Sequence, residues 1–368
     1  TPTAYAETHG TSVGIGAAVN PNKALATTGT GAAVSVGKEY YKTNKDDKTG
    51  KEEAVTNLKM TTQNNAGHKA YVGNTTIGLI LAVGVGDAEA AGDDKSTVAA
   101  GGGNVNMLNV SANGSVSASG YADGDSGGAI SVGTPSTITL NTKTTNRATL
   151  SGQWDVKDRA SLTAAESVTS RGSSRTGAGG IASVNWAKSD NNVTADTKVI
   201  LAQGAVLNTG ASYVLAENNI TTGAWENETY NNHMNMGGVF NFAPDVKSTS
   251  VVTANAGIEV KAGAAVTTTG GQVYDAHNNM KLSNKVEGKG GGVAENMGVH
   301  SINTTTENSK ITVEEGAVLE QKGEFEKGDL ILSTSDNLDL NSLSEAWIGG
   351  FEGYLNVVDS NAINRSNQ

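Results

Sequence analysis

Cysteine is absent from the 368 residues, which excludes a disulfide framework and thiolate metal sites. Four prolines and 5% aromatics leave little to fill a wide globular interior. Small and β-branched side chains suit a narrow one, between sheets packed about 10 Å apart. No apolar run approaches the roughly eighteen residues a membrane helix needs. The best, residues 77–85 (IGLILAVGV), is glycine-broken and reads as a buried strand. Lys and Arg number 26 against 37 Asp and Glu, and with no local basic patch a nucleic-acid partner is not expected. Three-and-four apolar spacing is scarce, so helices are not expected either.

What is plentiful is glycine, 47 residues, and it is placed regularly. Residues 179–210 (GGIASVNWAKSDNNVTADTKVILAQGAVLNTG) open on a glycine pair, alternate apolar and polar residues around Val199 and Leu201, and close on a Gly-Ala turn. The same order recurs from Gly237 and from Gly291, with a weaker copy from Gly127. The step from the second glycine of the pair to the glycine of Gly-Ala runs from Gly180 to Gly204, Gly238 to Gly263 and Gly292 to Gly316, constant to within one residue. The pairs themselves step through Gly128, Gly180, Gly238 and Gly292, a repeat period of fifty-odd. Alternation at matching places in each copy argues for strands and against disorder. Hairpin dipeptides do not mark each junction, so parallel coils fit better than an up-and-down barrel. At about 20 residues per coil, each repeat is expected to make two to three coils, giving a rod on the order of 80 Å.

The resulting expectation is an all-β parallel β-helix solenoid over residues 1–337. Residues 38–73 (KEYYKTNKDDKTGKEEAVTNLKMTTQNNAGHKAYVG) read as a charged hairpin inserted between coils, and residues 218–236 as a loop insertion carrying Trp225, Tyr230 and His233. AGDDKSTVAAGGG (residues 91–103) reads as an acidic tip, the stretch around Trp154 as a loop or short helix, and residues 338–368 as a terminal coil, cap or join to a next segment. The chain opens on Thr-Pro with no signal peptide, as expected of a processed piece of something longer.

Candidate chemistry is sparse. Residues 124–128 (GDSGG) match the nucleophile loop of chymotrypsin-type proteases, but only His9 and His68 lie upstream, neither in that family's setting, and the glycines are the repeat's own. Asp123-Gly124-Asp125 is a fragment of a calcium loop without its further ligands, and a solvated turn is the better reading. His9, His68, His233, His277 and His300 have no metal spacing and read as surface residues. Trp154, Trp186, Trp225 and Trp347 suit capping or loop packing. Asn-x-Ser/Thr triplets at Asn74, Asn113, Asn192, Asn219, Asn227 and Asn303 follow from composition. Asp155, Asp158 and Glu166 are near enough in sequence to pair for glycoside chemistry only if neighbouring coils bring them to one face. No nucleotide-binding glycine motif is present, and no catalytic, cofactor-binding or metal residue is assigned.

The repeat itself, seen at residues 179–184 with 193–210, 237–242 with 258–270, and 291–293 with 311–323, resembles the giant secreted adhesins of the filamentous haemagglutinin type, especially leukotoxin-like filamentous adhesins of anaerobic bacteria. The resemblance implies a right-handed parallel β-helix exported as the passenger of a type V or two-partner system. It also implies a non-enzymatic rod at the cell surface that displays loops to a host-cell, bacterial or glycan receptor, without spanning the membrane. A carbohydrate-active β-helix and a cytotoxin segment are the alternatives.

Overall fold

The computed structural model describes residues 3–36, 44–45, 52–53, 55–133, 136–323 and 328–367. Among them there is no helix, and the chain is a parallel β-helix solenoid. Successive turns comprise β1 (Thr3–Gly14) and β2 (Ala17–Val36), then β5 (Val55–Gly78) and β6 (Leu81–Ala100), then β7 (Gly103–Gly127), β8 (Ile130–Val132) and β9 (Ser136–Leu150). There follow β10 (Gln153–Val184) and β11 (Ala187–Leu201), β12 (Val206–Gly223) and β13 (Asn232–Val260), β14 (Ala265–Thr268) and β15 (Gln272–Val313), and last β16 (Val318–Gln321) and β17 (Leu330–Asn367). A separate antiparallel pair joins β3 (Asn44–Lys45) to β4 (Glu52–Glu53).

The register fixes the size of a turn. On adjacent parallel strands Val55 partners Val105, Glu166 partners Asn218, and Thr3 partners Gly67, so a turn takes up fifty to sixty-odd positions of the chain. One sequence repeat is therefore one turn, which corrects the expectation of two or three coils per repeat. Seven turns at about 4.8 Å rise only about 29 Å. Each turn is instead broad and flattened into two layers. β1, β5, β7, β10 and β12 lie in one, and β2, β6, β9 and β11 in the other. β13, β15 and β17 run through both. Side chains meet across the interior: Ser170 Oγ is 2.6 Å from Asn191 Oδ1, Thr176 Oγ1 2.9 Å from Asn185 Oδ1, and Asn146 Nδ2 2.7 Å from Glu166 Oε2. Burial alternates residue by residue along β9 and β11, as a sheet with one face inside requires.

The two glycine signals mark the two ends of the flattened turn. At one end, Gly152, Gly204, Gly263 and Gly316 adopt positive φ (72°, 69°, 69° and 77°), a conformation costly for side chains with Cβ. At the other, Gly128, Gly180, Gly238, Gly292 and Gly350 stack so closely that a Cβ on any of them would overlap the carbonyl oxygen of the glycine one turn earlier. The near-constant step from Gly180 to Gly204, and from Gly238 to Gly263, is thus the length of one layer from end to end.

The interior is segmented. An apolar cluster with Leu150, Trp154, Leu162, Leu201 and Leu207 fills the Gly-Ala end, and one with Met234, Val246, Val286 and Met297 lies toward the glycine-stack end. Beside the first runs a polar column, Asn64–Gly114–Glu166–Asn218–Asn278–Asp336, each residue in register with the next. Asn218 Nδ2 donates to Asn278 Oδ1 at 2.8 Å, and Asn278 Nδ2 to Asp336 Oδ1 at 2.9 Å, so from Asn218 onward the column's side chains bond to one another across successive turns.

Several local expectations change. Residues 55–73 are not part of a projecting hairpin but a strand of the stack; of residues 38–54, only β3 and β4 fall within the described residues. The insertion read at 218–236 shrinks to residues 224–231, because Asn218 is buried in the polar column and β13 begins at Asn232. The acidic tip is strand β6 with Asp94 inside, and the stretch around Trp154 is strand β10. The apolar run 77–85 turns a corner, leaving Ile77, Leu79 and Ile80 exposed. Residues 330–367 add a further turn on β15.

Candidate functional site

The outer faces carry asparagine ladders such as Asn141–Asn192 and Asn219–Asn279, while the glycine-stack corner exposes apolar side chains, Ile80, Ile130, Ile181, Val239, Val293 and Phe351 among them. One place is built up, on the outside of the β1–β5–β7–β10 layer, where register stacks Tyr71 on Tyr121 and Asp123 on Arg175. The Tyr71 and Tyr121 rings stack with centroids 5.4 Å apart, His9 tilts onto Tyr71 at 5.1 Å, and Trp225 onto Tyr121 at 5.8 Å. Gly73 makes this possible, since His9 lies over it where a Cβ would stand 2.7 Å from Nδ1.

Trp225 arrives on the loop 224–231, which is tied down along its length. Ser173 Oγ receives the Trp225 N–H at 2.8 Å and donates to Tyr230 O at 2.9 Å. Asn231 takes a strand-like place, with its N–H on Lys285 O at 2.7 Å and its Nδ2 on Gly172 O at 3.1 Å. Lys69 Nζ lies 4.4 Å from the Trp225 ring centroid and 3.7 Å from Glu226 Oε1. Tyr121 OH donates to Glu228 Oε1 at 3.3 Å, and Tyr230 OH to Glu345 Oε2 at 2.8 Å.

Charge gathers beneath the loop. Burial pushes the Asp123 carboxyl up, against the pull of Arg175, and Asp123 Oδ1 is buried with no hydrogen-bond partner. Burial, with Asp123 and Glu228 nearby, also raises the Tyr121 phenol. The hydrogen bond to Glu345 pushes the Tyr230 phenol to about 12. His233 Nδ1 stands 3.2 Å from Glu287 Oε2. Aromatic edges flanked by carboxylates, an arginine and a lysine can contact the hydroxyls of a sugar or a basic group of a partner. Among the described residues no group of three or more His, Asp or Glu side chains could hold a metal ion.

The sequence candidates scatter. Asp155 and Asp158 are exposed near the Gly-Ala end while Glu166 points inward and is 2% exposed, so the three do not converge. Ser126 turns its hydroxyl inward, 2.6 Å from Ser131 Oγ. His68 is not a surface residue: it is buried, with Nδ1 2.5 Å from Thr28 Oγ1, and burial lowers its pKa. Trp154 is fully buried and donates from Nε1 to Ser151 O at 3.0 Å, whereas Trp347 is exposed. Of the asparagines in triplets, Asn74 and Asn303 lie in the interior, and Asn192 and Asn219 join exposed ladders with Asn141 and Asn279. Sequence reasoning passed over Tyr71 and Tyr121, although they are one turn apart in the chain and so come into register. Comparison with family models, with curated proteins and with solved structures finds no match.

Proposed function

We propose that the chain is a segment of a large secreted or surface-exposed bacterial adhesin, a stiff non-enzymatic scaffold that presents a contact surface on its outer face. The observation that carries this reading is the loop 224–231, clamped on the outer face at Ser173, Tyr121 and Lys69. Stacked parallel strands supply stiffness without a wide core, and a preorganised loop loses little entropy on binding. The receptor class is a glycan or a surface protein of a host cell or another bacterium.

The test is binding of the purified chain to glycan and cell panels, with Trp225→Ala alongside. Binding by the wild type, weakened at least tenfold in Trp225→Ala with an unchanged far-UV circular dichroism spectrum, supports the reading; no binding to any panel overturns it. A second reading, polysaccharide cleavage, draws on Asp123, with its raised carboxyl, beside Arg175. Turnover of a polysaccharide panel, lost in Asp123→Asn, would replace the first reading with this one.

A further inference from the structure

Along most strands apolar side chains point inward and polar ones outward, as with Val199 inside and Lys198 outside in β11. Just past the glycine-stack corner, where the chain enters the second layer, the order is reversed. The inner positions there are Ser131, Ser183, Asn241 and Glu295, all buried and in register one above another. Ser131 Oγ lies 2.6 Å from Ser126 Oγ, and Asn241 Nδ2 donates to Gly291 O at 3.0 Å, so this part of the interior is narrow and polar.

The outward positions of the same segments carry the apolar residues. Val19, Val83, Val132, Val184 and Phe242 form one column in register through five successive turns. Leu81, Ile130, Ala182 and Phe240 form a second beside it, which Glu352, below Ala294, closes. Leu79, Ile181 and Val293, each next to a stacked glycine, line the adjoining corner. Ile181 is 59% exposed and Phe242 47%, whereas β11 carries Lys188, Asn192 and Thr194 in its outward places. Residues 11–22, 74–86, 126–136, 176–187 and 234–244, which supply most of this face, contain no charged side chain.

At about 100 Å² for each large apolar side chain left half exposed or more, the columns and the corner present on the order of 800 Å², more than a monomer ordinarily shows and equal to one partner's share of a stable dimer contact. We propose that this face docks a second copy of the chain, the two solenoids packing sheet against sheet about a twofold axis. Uncharged aliphatic columns are self-complementary: a copy turned about the axis meets the same side chains, and no like charges are forced together despite the net charge of −11. A lipid surface fits less well, because these segments hold no Lys or Arg to meet anionic head groups. Loop 224–231 stands outside the other layer, so the pair presents it twice, and the docking does not depend on what that loop binds.

Sedimentation equilibrium of the full chain is expected to show monomer and dimer, with a dissociation constant of micromolar or tighter, the range for a contact of this area. The dimer should tighten as sodium chloride is raised tenfold, because the copies repel through net charge and attract through apolar surface. Phe242→Lys and Val184→Lys should each weaken it at least tenfold with an unaltered far-UV circular dichroism spectrum, while Asn192→Lys, outward on the same layer, should not. Should one of the two fail to fold, the other decides; should both fail, the salt response of the wild type decides. A monomer at every concentration, a dimer that neither substitution weakens, or one that salt loosens overturns the proposal. A monomer that floats with phosphatidylcholine–phosphatidylglycerol vesicles, and no longer does so in Phe242→Lys, overturns it too and gives the face to lipid.

Discussion

Asn218 Nδ2 donates to Asn278 Oδ1 at 2.8 Å, and one full turn of the solenoid separates the two residues along the chain. The bond is buried, so it ties turn to turn where water does not compete. Replacing Asn278 by Ala leaves Asn218 Oδ1 with Thr197 but strips its Nδ2 of this partner and Asp336 of another. A loss of about 1–3 kcal/mol is expected, read as a lower urea midpoint at unchanged slope.

The glycine pairs give a sharper contrast within one dipeptide. A side chain at Gly237 meets open space, whereas one at Gly238 overlaps the Gly180 carbonyl oxygen, backbone that cannot step aside. Gly237→Ala should change stability by no more than about 0.5 kcal/mol, and Gly238→Ala should cost about 1–3 kcal/mol or more. At the opposite end, Gly204 has space around it but φ of 69°, so Gly204→Ala incurs only the left-handed backbone cost, about 1–2 kcal/mol. Chemical denaturation of the three variants ranks them.

Three interior carboxyls hold their protons unusually well: burial pushes Glu166 to about 8 and Glu295 and Glu307 to about 7, from 4.5. The folded state thus binds protons the unfolded state has released. Their contribution is whole below about 4.5 and disappears as pH rises through 7 to 8. His68 acts in the opposite direction, since burial lowers its pKa and its contribution is lost as pH falls below about 6.5. The melting temperature of the protein should therefore decline from pH 6.5 to pH 9, and Glu166→Gln should flatten the upper part of that decline.

Loop 224–231 depends on Trp225 more than on its cation partner. Trp225→Ala removes the contact with Tyr121 and the platform under Lys69, and limited proteolysis should then nick the loop at least several-fold faster. Lys69→Ala gives up about 0.5–1 kcal/mol of cation–π attraction and should have a smaller effect. Far-UV circular dichroism should be unaltered in both.

Much of the fold is legible in the spacing of Gly180, Gly204, Gly238, Gly263, Gly292 and Gly316, because backbone crowding and positive φ each favour glycine and so mark both ends of these three turns. The size of the turn is lost when a compact coil of about 20 residues is taken as the unit. The alternation of burial through β11, fifteen residues with no glycine or proline, makes one long straight layer. The inward polar residues are hidden by their own type: Asp94 and Glu166 look like surface residues until the register puts them on the inner face beside Ser96 and Val168. The outer site depends on pairs such as Tyr121 with Trp225, brought together by a loop whose path no local periodicity encodes.

Because the chain has no cysteine, one pair of substitutions can measure the turn directly. Asn219 and Asn279 are outward-facing register partners whose side chains meet at 3.1 Å, so Asn219→Cys with Asn279→Cys should form an intramolecular disulfide under mild oxidation, since register partners on adjacent strands fall within disulfide reach. Asn219→Cys with Val239→Cys, spaced as a short coil of about 20 residues would stack them, should stay reduced. Cross-linking of the second pair and not the first would contradict the one-repeat, one-turn architecture.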